Sequence, residues 1–364
     1  MKEELKRTYK SYKELPKRNQ IEYTEPTELF GKKGEVLVRG GWARKDVFLY
    51  DKEKARPKSR CKEWDFYQIS NGTLVAQINF ANISVAGYIS VSLVDINTGI
   101  KVVDHMDIFI GGRKKYALPK CATEPNVIEH KIGKTEFKFE TTKKERHLTG
   151  KGLHKKTPLE FDIKMYMMDL HESLTTVLPW NKKKNKYFMT CKMNSMPAEG
   201  YIKFGEEEWK FDLSNSFGTL DWGRVNTPYR LVWYWGNGSW HIKDDKGKDH
   251  ILGFEITWAI GDEDNATETA IFYDGKLHKF GSIDVENFPK GRYMEPWHFV
   301  SEDGRFDMTM TPKFDYAGDM NLVLLRMKSH QVHGLWNGFV ILDDGTKIEV
   351  KDQYAFCEYV ENRW

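Results

Sequence analysis

The sequence predicts an all-β fold built from antiparallel strands, and three observations lead to that prediction. Short runs of alternating apolar and polar residues recur along the chain, turn signals separate them, and segments with a helical period are scarce after residue 20. Short strands joined by frequent tight turns are typical of a β-sandwich or a β-barrel. The turn signals are six Asx-Gly pairs, which favour positive φ at both central residues of a hairpin: Asn71-Gly72, Asn237-Gly238, Asp274-Gly275, Asp303-Gly304, Asn337-Gly338 and Asp344-Gly345.

The composition indicates a folded chain with a sizeable core and no nucleic-acid partner. The 364 residues suffice for two domains at roughly 150 residues per domain. Aromatic residues make up 14% of the chain, which is too many for a disordered polypeptide. The net charge of +3 argues against a protein that works by neutralising a nucleic-acid backbone. The lysine clusters lack interleaved aromatic residues, so we interpret them as solvated loops.

One long uncharged stretch raises the question of a membrane span. Residues 66–94 carry no charged side chain, but from Ile83 to Leu93 apolar residues alternate with small or polar ones. That alternation has the period of a strand with two different faces. Residues 1–20 carry ten charges and no apolar run, unlike a signal peptide. We therefore expect no integral membrane segment and a cytoplasmic protein.

The cysteines and histidines predict neither disulfides nor a metal site. Four cysteines in 364 residues, without a Cys-x-x-Cys pair, favour reduced and mostly buried thiols. The closest histidines, His330 and His333, point to opposite faces of a strand, so one metal ion cannot bind both. Motifs for dinucleotides, nucleoside triphosphates and serine hydrolases do not occur in the sequence. We therefore expect no metal and no cofactor.

A change of composition near the middle of the chain predicts two domains. Pro179 is followed by four lysines between residues 182 and 186, with strand-like sequence on both sides. Residues 1–180 have a net charge of +9 (33 basic, 24 acidic), and residues 181–364 have a net charge of −6 (23 basic, 29 acidic). Opposite charges favour packing of the two halves against each other. We predict a charged N-terminal segment at 1–28 and two domains at 29–182 and 183–364.

A short repeated pattern suggests that the two halves are related. Trp42 and Arg44 lie early in the first half, and Trp222 and Arg224 lie early in the second. An arginine stacked on an indole can close one end of a small barrel. We therefore expect one such stack in each half.

Six ordered motifs resemble a bacterial family of unknown function that carries the number 2804. They are Gly41-Trp42-Ala43-Arg44, Lys62-Glu63-Trp64-Asp65, His171-Glu172-Ser173-Leu174, Met196-Pro197-Ala198-Glu199-Gly200, Asp221-Trp222-Gly223-Arg224 and Tyr234-Trp235. The likeness runs from about residue 30 to Trp364. It departs from the family at Thr269, where the resemblance leads us to expect asparagine, which puts any role of that amide in doubt here.

The resemblance implies a fold similar to that of the carotenoid-hydratase superfamily, with two lipocalin-like β-barrels packed side by side. Relatives of that architecture include hydratases of carotenoids, plant tocopherol cyclases and fungal pericyclases. The resemblance therefore implies that the barrels, or the interface between them, hold a hydrophobic small molecule. In these terms the two predicted domains are a first barrel at 29–182 and a second barrel at 183–364.

Asp221 is the first candidate for acid–base chemistry. Asp221 and Arg224 flank Gly223 and could form a buried pair across a tight bend, in which the aspartate stays ionised and acts as a base. In the alternative, Arg224 stacks on Trp222 and Asp221 only satisfies the guanidinium. Arg224, Trp222 and Trp235 are candidates for ligand binding.

Two further acid–base candidates lie in other motifs. His171 follows a methionine-rich strand near the predicted domain boundary, where a histidine beside Glu172 suits proton transfer. A packing histidine is the alternative. Glu268 lies in apolar strand sequence and within the stretch compared with the family, whereas Glu255 has similar surroundings without that likeness. Each of these two carboxylates is either on a solvated face or a buried polar group.

One early strand offers two more ligand-binding candidates, Trp64 and Asp65. Alternation places Lys62, Trp64 and Phe66 on one face, and it places Glu63 and Asp65 on the other. Two carboxylates in one pocket would raise the pKa of one of them and give a neutral donor beside a base. An outward, solvated position of both carboxylates is the favoured alternative.

The sequence and the resemblance together predict a cofactor-independent lyase or isomerase that hydrates or cyclises a hydrophobic molecule such as a polyene or terpenoid. An acid would protonate an alkene, aromatic faces would stabilise the cation, and a carboxylate would direct water or remove a proton. The catalytic candidates are Asp221, Glu268 and His171, and the ligand-binding candidates are Arg224, Trp222, Trp64, Asp65 and Trp235. The alternatives are a non-catalytic carrier of a lipid or other hydrophobic ligand, which shares the pocket but not its titratable groups, and an interaction scaffold without an enclosed pocket.

Overall fold

Antiparallel strands dominate the computed structural model, which describes residues 20–111, 118–180, 182–244, 246–286, 288–322 and 325–363. A 3₁₀ turn spans Lys58–Arg60. The strands are β1 (Thr27–Glu28), β2 (Gly41–Ala43), β3 (Phe48–Leu49), β4 (Lys62–Ser70), β5 (Leu74–Asn82), β6 (Ala86–Asp95), β7 (Ile100–Ile110), β8 (Asn126–Ile132), β9 (Thr135–Thr141), β10 (Glu145–His154), β11 (Thr157–Tyr166), β12 (Leu174–Pro179), β13 (Tyr187–Phe204), β14 (Glu207–Phe211), β15 (Phe217–Asn226), β16 (Arg230–Lys243), β17 (Asp249–Trp258), β18 (Glu268–Tyr273), β19 (Lys276–Lys279), β20 (Ile283–Glu286), β21 (Trp297–Ser301), β22 (Phe306–Leu322), β23 (Leu325–Ile341) and β24 (Lys347–Arg363). The predicted all-β class is confirmed.

The first large sheet contains 13 strands, and its main path runs β7-β6-β5-β4-β15-β13-β11-β10-β9-β8. Strands β12 and β14 pair with β13 off that path, and β2 pairs with β12. The long strand β13 changes partners along its length, because its first part pairs with β12 and β15 and its last part pairs with β11 and β14. A register shift between Met193 and Met196, with Ser195 at φ 60°, marks the bend between these parts. Such a bulge lets a strand turn a barrel corner.

The second large sheet contains nine strands in the order β19-β18-β17-β16-β24-β23-β22-β21-β20, and its pairs are antiparallel. Each large sheet curls around its own apolar core. Trp222 and Phe80 lie in the first core, and Trp297 and Trp336 lie in the second. The chain thus forms two lipocalin-like antiparallel barrels, as predicted.

The Asx-Gly pairs fall into two groups. Four of the six lie at turns, between β4 and β5, β18 and β19, β21 and β22, and β23 and β24. The other two, Asn237-Gly238 and Asn337-Gly338, lie inside β16 and β23, where the turn prediction is wrong. Gly338 has φ 145° and adjoins a register shift with β24, so this pair forms a bulge and not a hairpin.

The chain passes from the first large sheet to the second between Asn226 and Arg230. The predicted boundary after residue 182 lies between β12 and β13, which are neighbours in the first sheet. Residues 1–19 of the predicted N-terminal segment lie outside the described residues. In the part that is described, Ile21 N donates to Asn265 O at 2.8 Å and Tyr23 N donates to Trp42 O at 2.8 Å. This part therefore contacts both barrels.

Both Trp-x-Arg patterns form the expected stacks. The Arg44 guanidinium lies 5.2 Å from the Trp42 ring centre, and that of Arg224 lies 4.0 Å from the Trp222 ring centre. Both pairs belong to the first sheet, however, because β2 joins it through β12. The expectation of one stack per barrel is therefore wrong.

The remaining sequence expectations concern cysteines, metals and membranes. All four cysteines lie in described ranges, and no disulfide joins them, as predicted. Within the described ranges, no three His, Cys, Asp or Glu side chains are grouped as metal ligands. A membrane-crossing helix of sufficient length and apolarity is also absent from the part of the chain that the structure describes.

Candidate functional site

The two barrels meet where β13 crosses β17. Gly253 packs so closely on β13 that an added Cβ would lie 2.1 Å from Ser195 Oγ, so a side chain at this position would displace the Ser195 and Asn194 side chains. The Asn194 amide donates to Phe254 O at 3.0 Å and to Glu255 Oε1 at 2.9 Å. These contacts fix the separation of the two facing walls.

A cavity of about 560 Å³ lies between those walls. One wall is the outer face of the first barrel, from β4 to β7 with β13 and β15, and the other comes from β16, β17 and β22 to β24. Its large apolar residues include Trp64, Phe66, Phe188, Trp233 and Trp235, and its charged residues include Lys62, Lys192, Asp221 and Glu358. This volume and this mixture are typical of a site for a hydrophobic small molecule.

Lys192 carries the positive charge at the centre of the cavity wall. It faces Asp221 across the β13–β15 pairing, and Lys192 Nζ lies 2.8 Å from Asp221 Oδ1. From the second barrel, Glu268 Oε2 lies 3.8 Å away and the Trp235 ring centre lies 4.3 Å away. Burial by itself would lower the pKa of Lys192, but the surrounding carboxylates outweigh it and raise that pKa. Lys192 therefore stays protonated beside Asp221.

Glu268 lies behind this ion pair and is fully buried. Its Oε1 accepts hydrogen bonds from the hydroxyls of Thr176, at 3.1 Å, and Thr190. Glu268 is not among the lining residues of the cavity. Its carboxylate therefore holds Lys192 from the side away from a ligand.

Glu358 is a buried carboxyl group that the second barrel presents to the cavity. It accepts hydrogen bonds from Trp233 Nε1 at 2.8 Å and Gln331 Nε2 at 3.0 Å. Burial raises the pKa of Glu358, and the nearby Asp221 charge adds to that rise against the opposing hydrogen bonds and Lys192. Glu358 therefore favours its neutral, proton-donating form more than an ordinary glutamate.

Glu255 forms a second buried carboxyl behind the Trp235 ring. It accepts hydrogen bonds from Trp235 Nε1 at 2.8 Å and from Asn194. Burial raises its pKa to about 8, although Lys192 and the two hydrogen bonds favour the ionised form. Glu255 does not line the cavity, so it acts on a ligand only through the position and polarity of Trp235.

Comparison with known proteins places the chain among its relatives. The model of a family described as a domain of unknown function, DUF2804, matches residues 20–364. The chain belongs to this family. Among the curated proteins, none matches its sequence.

Two solved structures resemble the DUF2804 chain at low identity. One is a protein provisionally assigned as AttH from Nitrosomonas europaea, with 13% identity, a TM-score of 0.43, and coverage of 84% of this chain and 93% of that one. The other is kievitone hydratase from Nectria haematococca, with 12% identity, a TM-score of 0.46, and coverage of 94% and 98%. Identities this low transfer no residue role.

The structure separates the sequence candidates into two groups. Asp221, Trp64 and Trp235 line the cavity, and Glu268 reaches it through Lys192. The other four candidates do not line it. They are Asp65, Trp222, Arg224 and His171.

The Asp221–Arg224 pair expected from the sequence does not form. The segment is a strand and not a bend, so residues three apart point to opposite faces. Arg224 instead points into the first barrel, where its Nη2 lies 2.9 Å from Asp65 Oδ1 and its guanidinium stacks on Trp222. These three residues therefore belong to the barrel interior and not to the cavity.

The carboxylates of Glu63 and Asp65 also differ from the favoured expectation. They are 2% and 3% exposed, because their face of β4 is the buried one and they pair with Lys52 and Arg224. Burial raises the pKa of Asp65, against the opposing charge and hydrogen bond of Arg224. Glu63 accepts a hydrogen bond from Tyr50 at 3.1 Å and pairs with Lys52. The expected solvated position is therefore wrong.

His171 lies in the connection between β11 and β12. Burial lowers its pKa to about 4, so the ring is neutral at physiological pH. The adjacent Glu172 pairs with Arg44 at 2.9 Å and accepts from Leu277 N at 2.8 Å. Glu172 therefore helps to hold the first barrel against the second, whereas His171 accepts a local hydrogen bond from Met168 N.

Sequence reasoning missed Lys192, Glu358 and Trp233. A signal was present for Lys192, which is the only charged residue from Tyr187 to Ala198. Burying a lone charge in such a strand is costly unless it is paired, so an isolated lysine there indicates a buried ionic cluster. Glu358 carries a weaker form of the same signal in the last strand.

Proposed function

We propose that the protein is an enzyme that carries out acid–base chemistry, of hydratase, cyclase or isomerase type, on a hydrophobic small molecule between the two barrels. One observation carries the proposal: two carboxyl groups in unlike surroundings line the same cavity. Asp221 lies 2.8 Å from the ammonium of Lys192, and Glu358 is buried where its pKa is raised. Two carboxyl groups in unlike surroundings are the usual arrangement for an acid and a base at one site.

The roles follow from these positions. Glu358 gives its proton to an alkene carbon and forms a new C–H bond, which leaves a carbocation. The faces of Trp64, Trp233 and Trp235 stabilise that cation. Asp221 then accepts a proton, either from a water whose oxygen bonds to the cation or from a neighbouring carbon as a new double bond forms. Solvent returns the proton from Asp221 to Glu358, so the cycle consumes no cofactor.

A non-catalytic carrier is the second candidate, and a collar of exposed apolar residues favours it. Ile83 and Met106 line the cavity. Val85, in the same β5–β6 turn as Ile83, is 63% exposed, and Ile108 and Ile110, on the edge strand β7 with Met106, are 68% and 90% exposed. Exposed apolar residues beside a cavity suit the transfer of a hydrophobic ligand. The carrier uses the same cavity but has no need of Glu358 and Asp221.

The deciding experiment compares wild type with Asp221→Asn and Glu358→Gln. Each protein is purified from the same cells, examined by native mass spectrometry and extracted with organic solvent. The enzyme predicts that the variants accumulate a compound that wild type lacks. The same intact compound in all three proteins would establish the carrier instead. Glu349→Gln on the exposed face of β24 is the matched control.

A second readout does not depend on a retained ligand. The proteins are incubated with a lipid extract in deuterium oxide, and deuterium on carbon is measured by mass spectrometry. Wild type and the control should introduce deuterium into one compound, and Asp221→Asn and Glu358→Gln should not. Equal incorporation by all four proteins, or none by any, would refute the acid–base mechanism.

A further inference from the structure

We propose that the end of the cavity around Lys62 binds the carboxylate of an acidic amphiphile, so that the ligand is a hydrophobic acid and not a neutral hydrocarbon. This deepens the proposed function and rests on its hydrophobic ligand. The proposal assigns Lys62 as the residue that positions the ligand, four residues along β4 from the level of Asp221.

The position of Lys62 supports this role. It is the first residue of β4, shares a face with Trp64 and Phe66, and lines the cavity with them. Lys62 Nζ lies 3.4 Å from Thr227 Oγ1, and Thr227 also lines the cavity. An ammonium and a hydroxyl side by side are suitable donors for the two oxygens of a carboxylate.

The charges around Lys62 also favour binding of an anionic ligand. Burial lowers the pKa of Lys62 to about 7, and the positive charges of Arg60 and Lys186 add to that effect. Lys186 donates to Asn226 Oδ1 at 2.6 Å and to Thr227 O at 2.9 Å, so it is held beside Thr227. The positive charges near this end of the cavity attract an anionic ligand, whereas they do not attract a neutral one.

The strand register gives the distance between Lys62 and the level of the Lys192–Asp221 ion pair. Lys62 pairs with Val225 and Phe66 pairs with Asp221, so four residues separate Lys62 from the level of the ion pair. At ~3.3 Å per residue, the separation is roughly 13 Å. The ligand therefore has its carboxylate about that far from the double bond that reacts. Lys101, which also lines the cavity, instead lies 4.0 Å from the Tyr316 ring centre and provides a matched control.

The test uses cis-parinaric acid, a fluorescent polyene, and its methyl ester. Binding is followed by energy transfer from the tryptophans that line the cavity, for wild type, Lys62→Met, Lys62→Arg and Lys101→Met. At pH 6 wild type should bind the acid about tenfold more tightly than the ester, as a charge-assisted contact implies. Lys62→Met should lose this preference and still bind the ester, whereas Lys101→Met should keep it.

The pH dependence of the preference for the acid gives a second test, which does not require removal of the Lys62 side chain. The preference of wild type for the acid should decline from pH 6 to pH 9 as Lys62 loses its proton. It should persist to pH 9 in Lys62→Arg, whose guanidinium stays charged. Equal binding of acid and ester by wild type at pH 6, or an unchanged preference in a folded Lys62→Met, overturns the carboxylate site alone. Failure of wild type to bind either compound overturns the hydrophobic ligand of the proposed function as well.

Discussion

Lys192 and Asp221 form a buried ion pair in the wall between the two barrels, with Nζ and Oδ1 2.8 Å apart and side chains 2% and 11% exposed. Both residues belong to the first barrel, but Glu268 and Trp235 of the second barrel complete the surroundings of the lysine. The same cluster therefore positions a proposed catalytic carboxylate and joins the two barrels.

Removal of Lys192 should destabilise the protein strongly. In Lys192→Met, the carboxylates of Asp221 and Glu268 lose their buried cation, and the free energy of unfolding should fall by about 3–5 kcal/mol. Urea unfolding followed by far-UV circular dichroism measures this loss. The control is Lys243→Met, whose pair with Asp249 is exposed and should contribute little to stability. Equal losses in the two variants would contradict the role of the cluster.

Glu255 should make the stability fall as the pH rises. Its pKa is about 8 in the folded protein against an ordinary value of 4.5, so between these values the folded chain keeps a proton that the unfolded chain has lost. The free energy of unfolding should therefore decrease by up to about 1.4 kcal/mol per pH unit from this group. Urea unfolding at pH 5, 6, 7 and 8 should show that the free energy of unfolding of Glu255→Gln rises relative to that of wild type at each step. A constant difference across the series would refute the raised pKa.

Arg224→Lys should destabilise the protein although it keeps the charge. Arg224 donates to the carbonyls of Trp64 and Pro119 and to the carboxylate of Asp65, and lysine cannot reproduce this planar set. The unpaired buried groups should cost about 2–4 kcal/mol in urea unfolding. Arg292→Lys, in an exposed pair, should change stability by less than about 0.5 kcal/mol. If Arg224→Lys instead keeps its stability and loses ligand binding, the residue belongs to the site after all.

Gly223→Ala should disturb the cavity through Trp64. An added Cβ at Gly223 would lie 2.1 Å from Cε2 and Cζ2 of the Trp64 indole, which must then move towards the ligand. Overpacking of this kind costs about 1–3 kcal/mol in the free energy of unfolding. The fluorescence titration with the methyl ester of cis-parinaric acid should also show weaker binding. Combining Gly223→Ala with Trp64→Leu should relieve the clash. Additive losses of unfolding free energy in the double variant would therefore contradict a clash between the two residues.

The sequence predicts the antiparallel class because turn chemistry and strand periodicity are local properties. The exceptions arise where pairing with a neighbouring strand outweighs the local turn preference. Asn337-Gly338 has the residues of a hairpin turn, but the long pairing of β23 with β24 takes it up as a bulge. Alternation also predicts correctly that Lys62 and Trp64 share a face, since neighbouring residues of a strand must point to opposite sides.

The sequence does not show which face of a strand points into its own barrel and which face meets the cavity or the other barrel. In β15 all ten residues are buried, because one face fills the first barrel and the other meets the cavity and the second barrel. A strand covered on both sides loses the contrast between apolar and polar faces. The spacing of Asp221 and Arg224 therefore suggests that they pair with each other, whereas in the structure each pairs with a residue distant in the chain. Only the assembled barrels show that Lys192 and Glu358 approach the same ligand.

The two barrels cannot be exchanged independently between members of the family. Lys192 comes from one barrel and Glu268 and Trp235 come from the other, so a hybrid that replaced one half would need the same charges and the same glycine at position 253 on the incoming half. A single-barrel ancestor would have exposed these groups to water and enclosed no cavity between barrels. Natural recombination should therefore preserve the two halves as one inherited unit, with crossovers rare near residues 227–229, where the chain passes from one sheet to the next.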